Sequence, residues 1–114
     1  MDVSFILSAD EIFTMISLMP NRTEVGKEFI EKVFNDAEIC DLSGLPEKKL
    51  ARIDGDELRL APVIHMMIDA ISNAGKVEEH ENHWLINSDW VTLRCENYPY
   101  KENHWKLTPL KETL

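Results

Sequence analysis

The sequence predicts an α+β fold, with N-terminal helices and a small β-hairpin ahead of a C-terminal antiparallel sheet. Three observations support this prediction. Apolar residues recur every three to four positions in the first part of the chain, Asp54-Gly55 separates two short alternating segments, and the period shortens to two after Gly75. Helices repeat about every 3.6 residues and strands every two, so this change divides a helical part from a strand-rich part.

The first helix is predicted over residues 9–19, with an edge strand before it at residues 3–7. Ser8 and Glu11 have the spacing of a capping box, in which each side chain accepts a hydrogen bond from the other residue's backbone N–H. Apolar residues follow at helical spacing. Pro20 is expected to end this helix, because proline has no N–H group to continue it.

Two more helical segments are predicted before the hairpin. Thr23 is expected to cap a helix over residues 24–36, which presents a wide apolar stripe. Residues 45–51 are expected to form a short helix whose core residues are Leu45 and Leu50.

The hairpin is predicted at Asp54-Gly55, because this dipeptide between alternating apolar and polar residues is typical of tight β-turns. Pro62 then stands at the first position of a helix predicted over residues 62–74. Proline suits that position, where its missing N–H costs nothing. Gly75 follows where a C-terminal cap is expected.

Antiparallel strands are predicted within residues 77–110, where aromatic and β-branched residues alternate with polar ones. In the strand at residues 90–96, side chains should alternate between two faces. The inward face is predicted to hold Val91, Leu93 and Cys95, and the outward face Trp90, Thr92, Arg94 and Glu96. Cys95 is therefore interpreted as a small buried core residue.

Length and charge define the broad class. A chain of 114 residues is expected to form a single domain, residues 1–114, and 44% hydrophobic residues are enough for a core. The formal charge of −9 opposes binding to a phosphate backbone, so no nucleic-acid partner is predicted. The amino terminus has no basic region typical of a secretory signal, and no apolar segment is long enough to span a membrane. We expect a cytoplasmic protein.

No catalytic, cofactor-binding or metal-binding residue is predicted, and the chain is not expected to be an enzyme. Its four glycines form neither a dinucleotide-binding motif nor a phosphate-binding loop, and no nucleophile motif occurs around serine. Neither Cys40 nor Cys95 lies in a catalytic signature, and two isolated cysteines are not a disulfide framework.

Histidines among glutamates near the C-terminal strands raise the question of a metal site. His80 and His83 are three residues apart, and on one strand such residues point to opposite faces unless a turn intervenes. We therefore expect the pair to diverge within a solvated loop. The tetrapeptide Glu-Asn-His-Trp occurs at residues 81–84 and again at 102–105, which indicates two strands that begin after similar turns, with His and Trp on opposite faces.

The order of three helices and a hairpin also fits a winged helix, with residues 45–51 as the end of the recognition helix. Its basic residues would be Lys48, Lys49 and Arg52, which is little charge for a protein that reads DNA. A hairpin that serves packing alone is the favoured interpretation.

The segment Tyr98-Pro99-Tyr100 is the candidate partner-binding site, together with the adjoining strand through Trp105. Tyrosine is enriched at protein interfaces, because it offers a large contact area at a small entropic cost. An edge strand here would add unpaired backbone groups that can recruit another chain. The alternative is that the rings are local packing and Trp105 is core.

Three segments resemble the amino-terminal part of the ESX (type VII) secretion-associated EspG-like proteins and their uncharacterised Firmicute relatives: Leu7-Ser8-Ala9-Asp10-Glu11-Ile12, Leu45-Pro46-Glu47-Lys48-Lys49-Leu50-Ala51-Arg52-Ile53-Asp54-Gly55 and Leu60-Ala61-Pro62. The resemblance implies an α+β fold and a cytoplasmic chaperone for secreted helical hairpins. EspG-like proteins are longer than this chain, so the resemblance transfers no functional residue.

The sequence therefore favours a small acidic protein-binding module of the adaptor or chaperone type from a bacterium, with another protein as its partner. It leaves open whether the chain also associates with itself. One alternative is a subunit of a winged-helix transcriptional regulator. Another is a structural protein of a phage or mobile element.

Overall fold

A computed structural model of the chain describes residues 3–19, 21–89 and 91–110. Its elements confirm the predicted α+β class. In chain order they are β1 (Phe5–Ser8), α1 (Ala9–Ser17), α2 (Glu24–Val33), β2 (Ala51–Asp54), β3 (Glu57–Leu60), α3 (Pro62–Ser72), β4 (Lys76–Glu79), β5 (Trp84–Asn87), β6 (Thr92–Asn97) and β7 (His104–Leu110). Pro20 as a helix stop and Trp90 as an outward strand residue lie outside the described residues.

The main sheet has the strand order β1-β7-β6-β5-β4, and every neighbouring pair is antiparallel. Strand β1 confirms the edge strand predicted near residues 3–7, and it pairs Leu7 with Trp105. As a result β7 lies between β1 and β6. The expectation that the strand through Trp105 offers unpaired backbone groups at an edge is wrong. Strands β2 and β3 form a separate hairpin.

The core lies between the helices and one face of the sheet. Helix α3 contributes four large side chains that are fully buried, Ile64, Met67, Ile68 and Ile71, and the sheet contributes Leu7, Ile86, Leu93, Cys95 and Leu107. The predicted alternation along β6 is confirmed for its described residues, because Arg94 is exposed on the opposite face. Burial, and then the charge of Glu96, raises the pKa of the Cys95 thiol far above its usual range, so Cys95 is a neutral core residue.

All three long helices begin where the sequence predicts, and each ends two or three residues early. At the C-terminal caps, Leu18, Phe34 and Asn73 still donate their backbone N–H groups to the last turn, and the backbone of Phe34 and Asn73 has already left the helical region of φ and ψ. None of the described helices combines the length and apolar character needed to cross a membrane.

Helices α2 and α3 approach each other closely at Gly26. A β-carbon built on Gly26 would lie 2.2 Å from the backbone oxygen of Ser72 and 2.8 Å from that of Ile71. Thr23 fixes the same contact, because its backbone N–H donates to Ser72 O at 3.0 Å and its hydroxyl donates to Ala74 O at 2.7 Å. Only glycine therefore fits this crossing without displacing backbone.

The short helix expected over residues 45–51 does not form. Residues 43–49 make consecutive turns, which end at Lys49 with a φ of 61°. The backbone N–H of Leu50 donates to Leu45 O at 3.1 Å, and that of Lys49 donates to Pro46 O at 3.0 Å, which is the Schellman pattern. A helix this short has a nucleation cost that few further hydrogen bonds offset. Leu45 is nevertheless fully buried, and Leu50 packs against the core as predicted.

The capping box at α1 leads to a pH prediction. Ser8 Oγ accepts from the Glu11 backbone N–H at 3.0 Å, and Glu11 Oε1 accepts from the Ser8 backbone N–H at 2.9 Å. Partial burial acts to raise the pKa of Glu11, but the Ser8 hydrogen bond and the charge of Lys48 outweigh it. The result is a pKa below the ordinary 4.5.

A carboxyl group whose pKa is lower in the folded state stabilises the fold above its unfolded pKa and loses that contribution as the pH falls through its folded pKa. We expect urea denaturation midpoints to drop below a pH of about 4.5. In Glu11→Gln the drop should be smaller, and in the exposed control Glu31→Gln it should match that of the unmodified chain. An equal drop in the Glu11→Gln chain would show that this carboxylate does not contribute.

Candidate functional site

Two connections of the sheet lie side by side at one end of it. The β4–β5 turn spans residues 80–83 and the β6–β7 loop spans residues 98–103. They meet because β5 and β6 are adjacent and antiparallel, so that Trp84 pairs with Cys95 while Asn97 pairs with Trp105. A cleft of about 480 Å³ between them is lined by residues of both connections. We call this region the loop end of the sheet.

The β6–β7 loop presents the two tyrosines that the sequence singled out. The rings of Tyr98 and Tyr100 pack edge to face, with centroids 5.4 Å apart, and Tyr100 is 85% exposed. Tyr98 is half-buried, and Pro99 is exposed at the wall of the cleft. The tyrosine pair is therefore an outward aromatic surface and is not packed into the core.

Backbone hydrogen bonds fix this loop. The N–H of Tyr98 donates to His104 O at 2.9 Å, and the N–H of Ala9 donates to Asn103 O at 2.8 Å. Asn103 has a φ of 58°, in the left-handed region that asparagine tolerates better than most residues. Because the loop is hydrogen-bonded to the start of α1, the backbone that carries the tyrosines is ordered.

Trp105 does not belong to this exposed surface. Its side chain is 8% exposed, and its ring packs edge to face on Phe34 with centroids 5.5 Å apart. The register explains this, because Trp105 pairs with Leu7 of β1 and so shares the inward face. Of the four residues predicted to bind a partner, Tyr98, Pro99 and Tyr100 are grouped in the loop, while Trp105 lies in the core.

His80 and His83 do not diverge as predicted. Their rings are stacked, with centroids 4.7 Å apart and planes within 12°. The sequence named an intervening turn as the exception, and a tight turn does intervene, in which the His80 N–H donates to His83 O at 2.9 Å. Among the described residues, no group of three or more His, Cys, Asp or Glu side chains converges as a metal site.

The two Glu-Asn-His-Trp segments do begin two strands, and each tryptophan packs on a phenylalanine. Trp84 packs edge to face on Phe29 with ring centroids 5.4 Å apart, as Trp105 packs on Phe34. The turns themselves differ, because the two connections have different lengths and Asn103, unlike Asn82, has a positive φ. Each copy of the repeat therefore places a tryptophan in edge-to-face contact with a phenylalanine next to the loop end.

The loop end is acidic. Glu79, Glu81 and Glu96 line the cleft with the two histidines. Lys32 lies near this end, where its ammonium group is 3.0 Å from a carboxylate oxygen of Glu79 and 5.1 Å from the ring centroid of Trp84. Aromatic, imidazole and carboxylate groups together can bind a polypeptide through stacking and hydrogen bonds.

A second cleft lies beside the β2–β3 hairpin, and sequence reasoning did not identify it. It has a volume of about 740 Å³ and combines apolar residues with Lys49, Arg52, Arg59 and His65. The sequence assigned the first two basic residues to the recognition segment of a possible winged helix. Arg59 lies on the second strand of the hairpin and His65 on α3, and the sequence analysis did not connect them with that pair.

Comparison with protein-family models found no match, and neither did comparison with curated proteins or with solved structures. The function is therefore argued from the geometry of the two clefts and from the resemblance noted in the sequence.

Proposed function

We propose that this chain is a non-enzymatic protein-binding module of the adaptor or chaperone type, which binds its partner at the loop end of the sheet. The observation that supports this most directly is the tyrosine pair, of which Tyr100 is the most exposed large apolar residue among those described. A monomeric domain has little physical reason to order a Tyr-Pro-Tyr loop through backbone hydrogen bonds and still leave the Tyr100 ring exposed to solvent.

The backbone of this loop is already ordered, which lowers the entropic cost of binding a partner. Association requires side chains and loops to be ordered, at about 0.5–1.5 kcal/mol for each immobilised flexible side chain. Here the proline and the hydrogen bonds of Tyr98 and Asn103 already order the backbone. The carboxylates of the cleft would favour a partner segment that carries basic or amide groups around an apolar centre.

The cellular setting that we propose is the bacterial cytoplasm, beside a type VII secretion system. Cys40 and Cys95 are both free thiols, as is usual in a reducing compartment. The resemblance to EspG-like proteins would make the partner a secreted helical hairpin. The winged-helix alternative has less support, because residues 43–49 form turns where a recognition helix was expected. No observation favours the phage structural alternative.

The double substitution Tyr98→Ser/Tyr100→Ser tests the proposal. We expect it to lower partner affinity by about tenfold or more, since aromatic residues dominate binding hot spots, while the melting temperature changes little. The measurement is quantitative capture from a lysate of the native host, followed by titration with the purified partner. Lost stability without lost binding would contradict the proposal and make the tyrosines structural.

A further inference from the structure

The β2–β3 hairpin contains an unfavourable pair of like charges. Arg52 and Arg59 are direct cross-strand partners, and their guanidinium groups lie on the same face of the hairpin. Like charges placed directly opposite each other destabilise a β-ladder. Moreover, this hairpin forms a separate two-stranded sheet, and isolated two-stranded sheets are only marginally stable.

The two arginines differ in how their charges are balanced. Arg59 forms ion pairs with Asp54 at 3.2 Å and with Glu57 at 3.4 Å. Within the described part of the chain, neither Arg52 nor Lys49 has a carboxylate within ion-pair distance. Both of these side chains are exposed, and both line the hairpin cleft. The cleft thus has two uncompensated positive charges in a protein whose formal charge is −9.

The remaining lining of the cleft is mainly apolar. Leu58 and Leu60 lie on β3, with their side chains on the opposite face of the hairpin from Arg52 and Arg59, so the lining includes residues of both faces, and Ala61 and Pro62 begin α3. Among the described residues, no aspartate or glutamate lines the cleft. On the apolar face of the same hairpin, Ile53 is 66% exposed, so apolar surface continues beyond the cleft. An occupant would therefore meet apolar walls beside cationic side chains.

We propose that the hairpin cleft is a second docking site, which takes an acidic polypeptide segment of a partner protein. Its apolar side chains would contact Leu58 and Leu60, and its carboxylates would pair with Arg52 and Lys49. Charge complementarity selects this occupant: a guanidinium group pairs with a carboxylate through two parallel hydrogen bonds, and Arg52, unlike Arg59, has no such partner within the described part of the chain. This inference extends the proposed protein-binding function and rests on it.

A nucleic acid is the less suitable occupant of this cleft. Binding to a phosphate backbone needs several basic residues along a track, and here only Arg52 and Lys49 lack an ion-pair partner among the arginines and lysine of the described cleft lining. The apolar walls would also remain unused by a phosphate backbone. A peptide uses both kinds of surface at once.

The test begins with selection of a displayed library of random peptides on the full chain. We expect the enriched sequences to combine Asp or Glu with large apolar residues. A synthetic, fluorescently labelled copy of the most enriched peptide is then titrated with the unmodified chain, Arg52→Glu and the control Lys27→Glu. Lys27 is an exposed residue of α2, so the control makes the same change of charge away from the cleft.

We expect Arg52→Glu to weaken peptide binding by about tenfold or more, because it reverses a charge at the contact, and Lys27→Glu to change it by less than about twofold. The melting temperature of the Arg52→Glu chain should be unchanged or higher, since the new carboxylate would face Arg59. A folded variant with lost binding would therefore not be a stability artefact.

Three results would overturn the inference: enriched peptides without acidic residues, equal binding by all three chains, or displacement of the peptide by a single-stranded oligonucleotide. The same measurements distinguish failure of this inference from failure of the proposed function. If Tyr98→Ser/Tyr100→Ser abolishes capture of the host partner while Arg52→Glu leaves peptide binding unchanged, the function stands and the second site does not. If the outcomes are reversed, the hairpin cleft stands and the tyrosine surface does not.

Discussion

Gly26→Ala is expected to destabilise the fold by about 3 kcal/mol or more, at the upper end of the usual cost of overpacking. The added β-carbon would meet the backbone oxygens of Ser72 and Ile71 at 2.2 and 2.8 Å. Backbone atoms of a buried helix cannot rotate aside as a side chain can, so α2 and α3 must separate. In thermal denaturation followed by circular dichroism, the melting temperature should fall by roughly 10 °C or more.

Gly44→Ala is the matched control, because a β-carbon at Gly44 has nothing within 4 Å. The same chemical change should leave stability unchanged or raise it slightly, by about 0.4–1 kcal/mol, since alanine restricts the unfolded chain. If both variants melt within a few degrees of the unmodified chain, the close contact between α2 and α3 is wrong.

Trp105→Ala is expected to cost about 3–5 kcal/mol, as large-to-small substitutions of buried aromatic residues do. Trp105 is 8% exposed and packs on Phe34, so its removal leaves a cavity between the sheet and the end of α2. Small domains are stable by only about 5–15 kcal/mol, and this variant should therefore be close to unfolding at ordinary temperatures. Chemical denaturation with urea gives the value.

The exposed Tyr100 provides the comparison for Trp105. Tyr100→Ala should change the free energy of unfolding by less than about 0.5 kcal/mol, which is usual for surface sites. The opposite order, with Tyr100 important for stability and Trp105 dispensable, would contradict the division between loop surface and core.

Much of the fold followed from local patterns in the sequence. The capping box at Ser8, the proline at the start of α3 and Gly55 in the hairpin turn each specify a backbone geometry through neighbouring residues alone, although the turn is centred on Gly55-Asp56, one residue later than predicted. The inward position of Cys95 followed from alternation. These features needed no knowledge of distant contacts, and they are correct for that reason.

Other features depended on contacts that no local pattern contains. The stacking of His80 on His83 required the position of the β4–β5 turn, and the interior place of β7 required its pairing with β1. The opposition of Arg52 to Arg59 depended on the position of the turn: it is centred on Gly55 and Asp56, whereas a turn centred on the predicted Asp54-Gly55 would place Arg52 opposite Glu57. The cleft beside it could not be anticipated, because α3 and the turns at residues 43–49 complete it.

The most direct test of the protein-binding account is the affinity of the captured host partner for the unmodified chain and for the double variant Tyr98→Ser/Tyr100→Ser, measured by titration on samples of matched melting temperature. The account predicts saturable binding by the unmodified chain and a loss of about tenfold or more in the variant. Equal affinities of the two chains would contradict the assignment of the loop end as the binding surface.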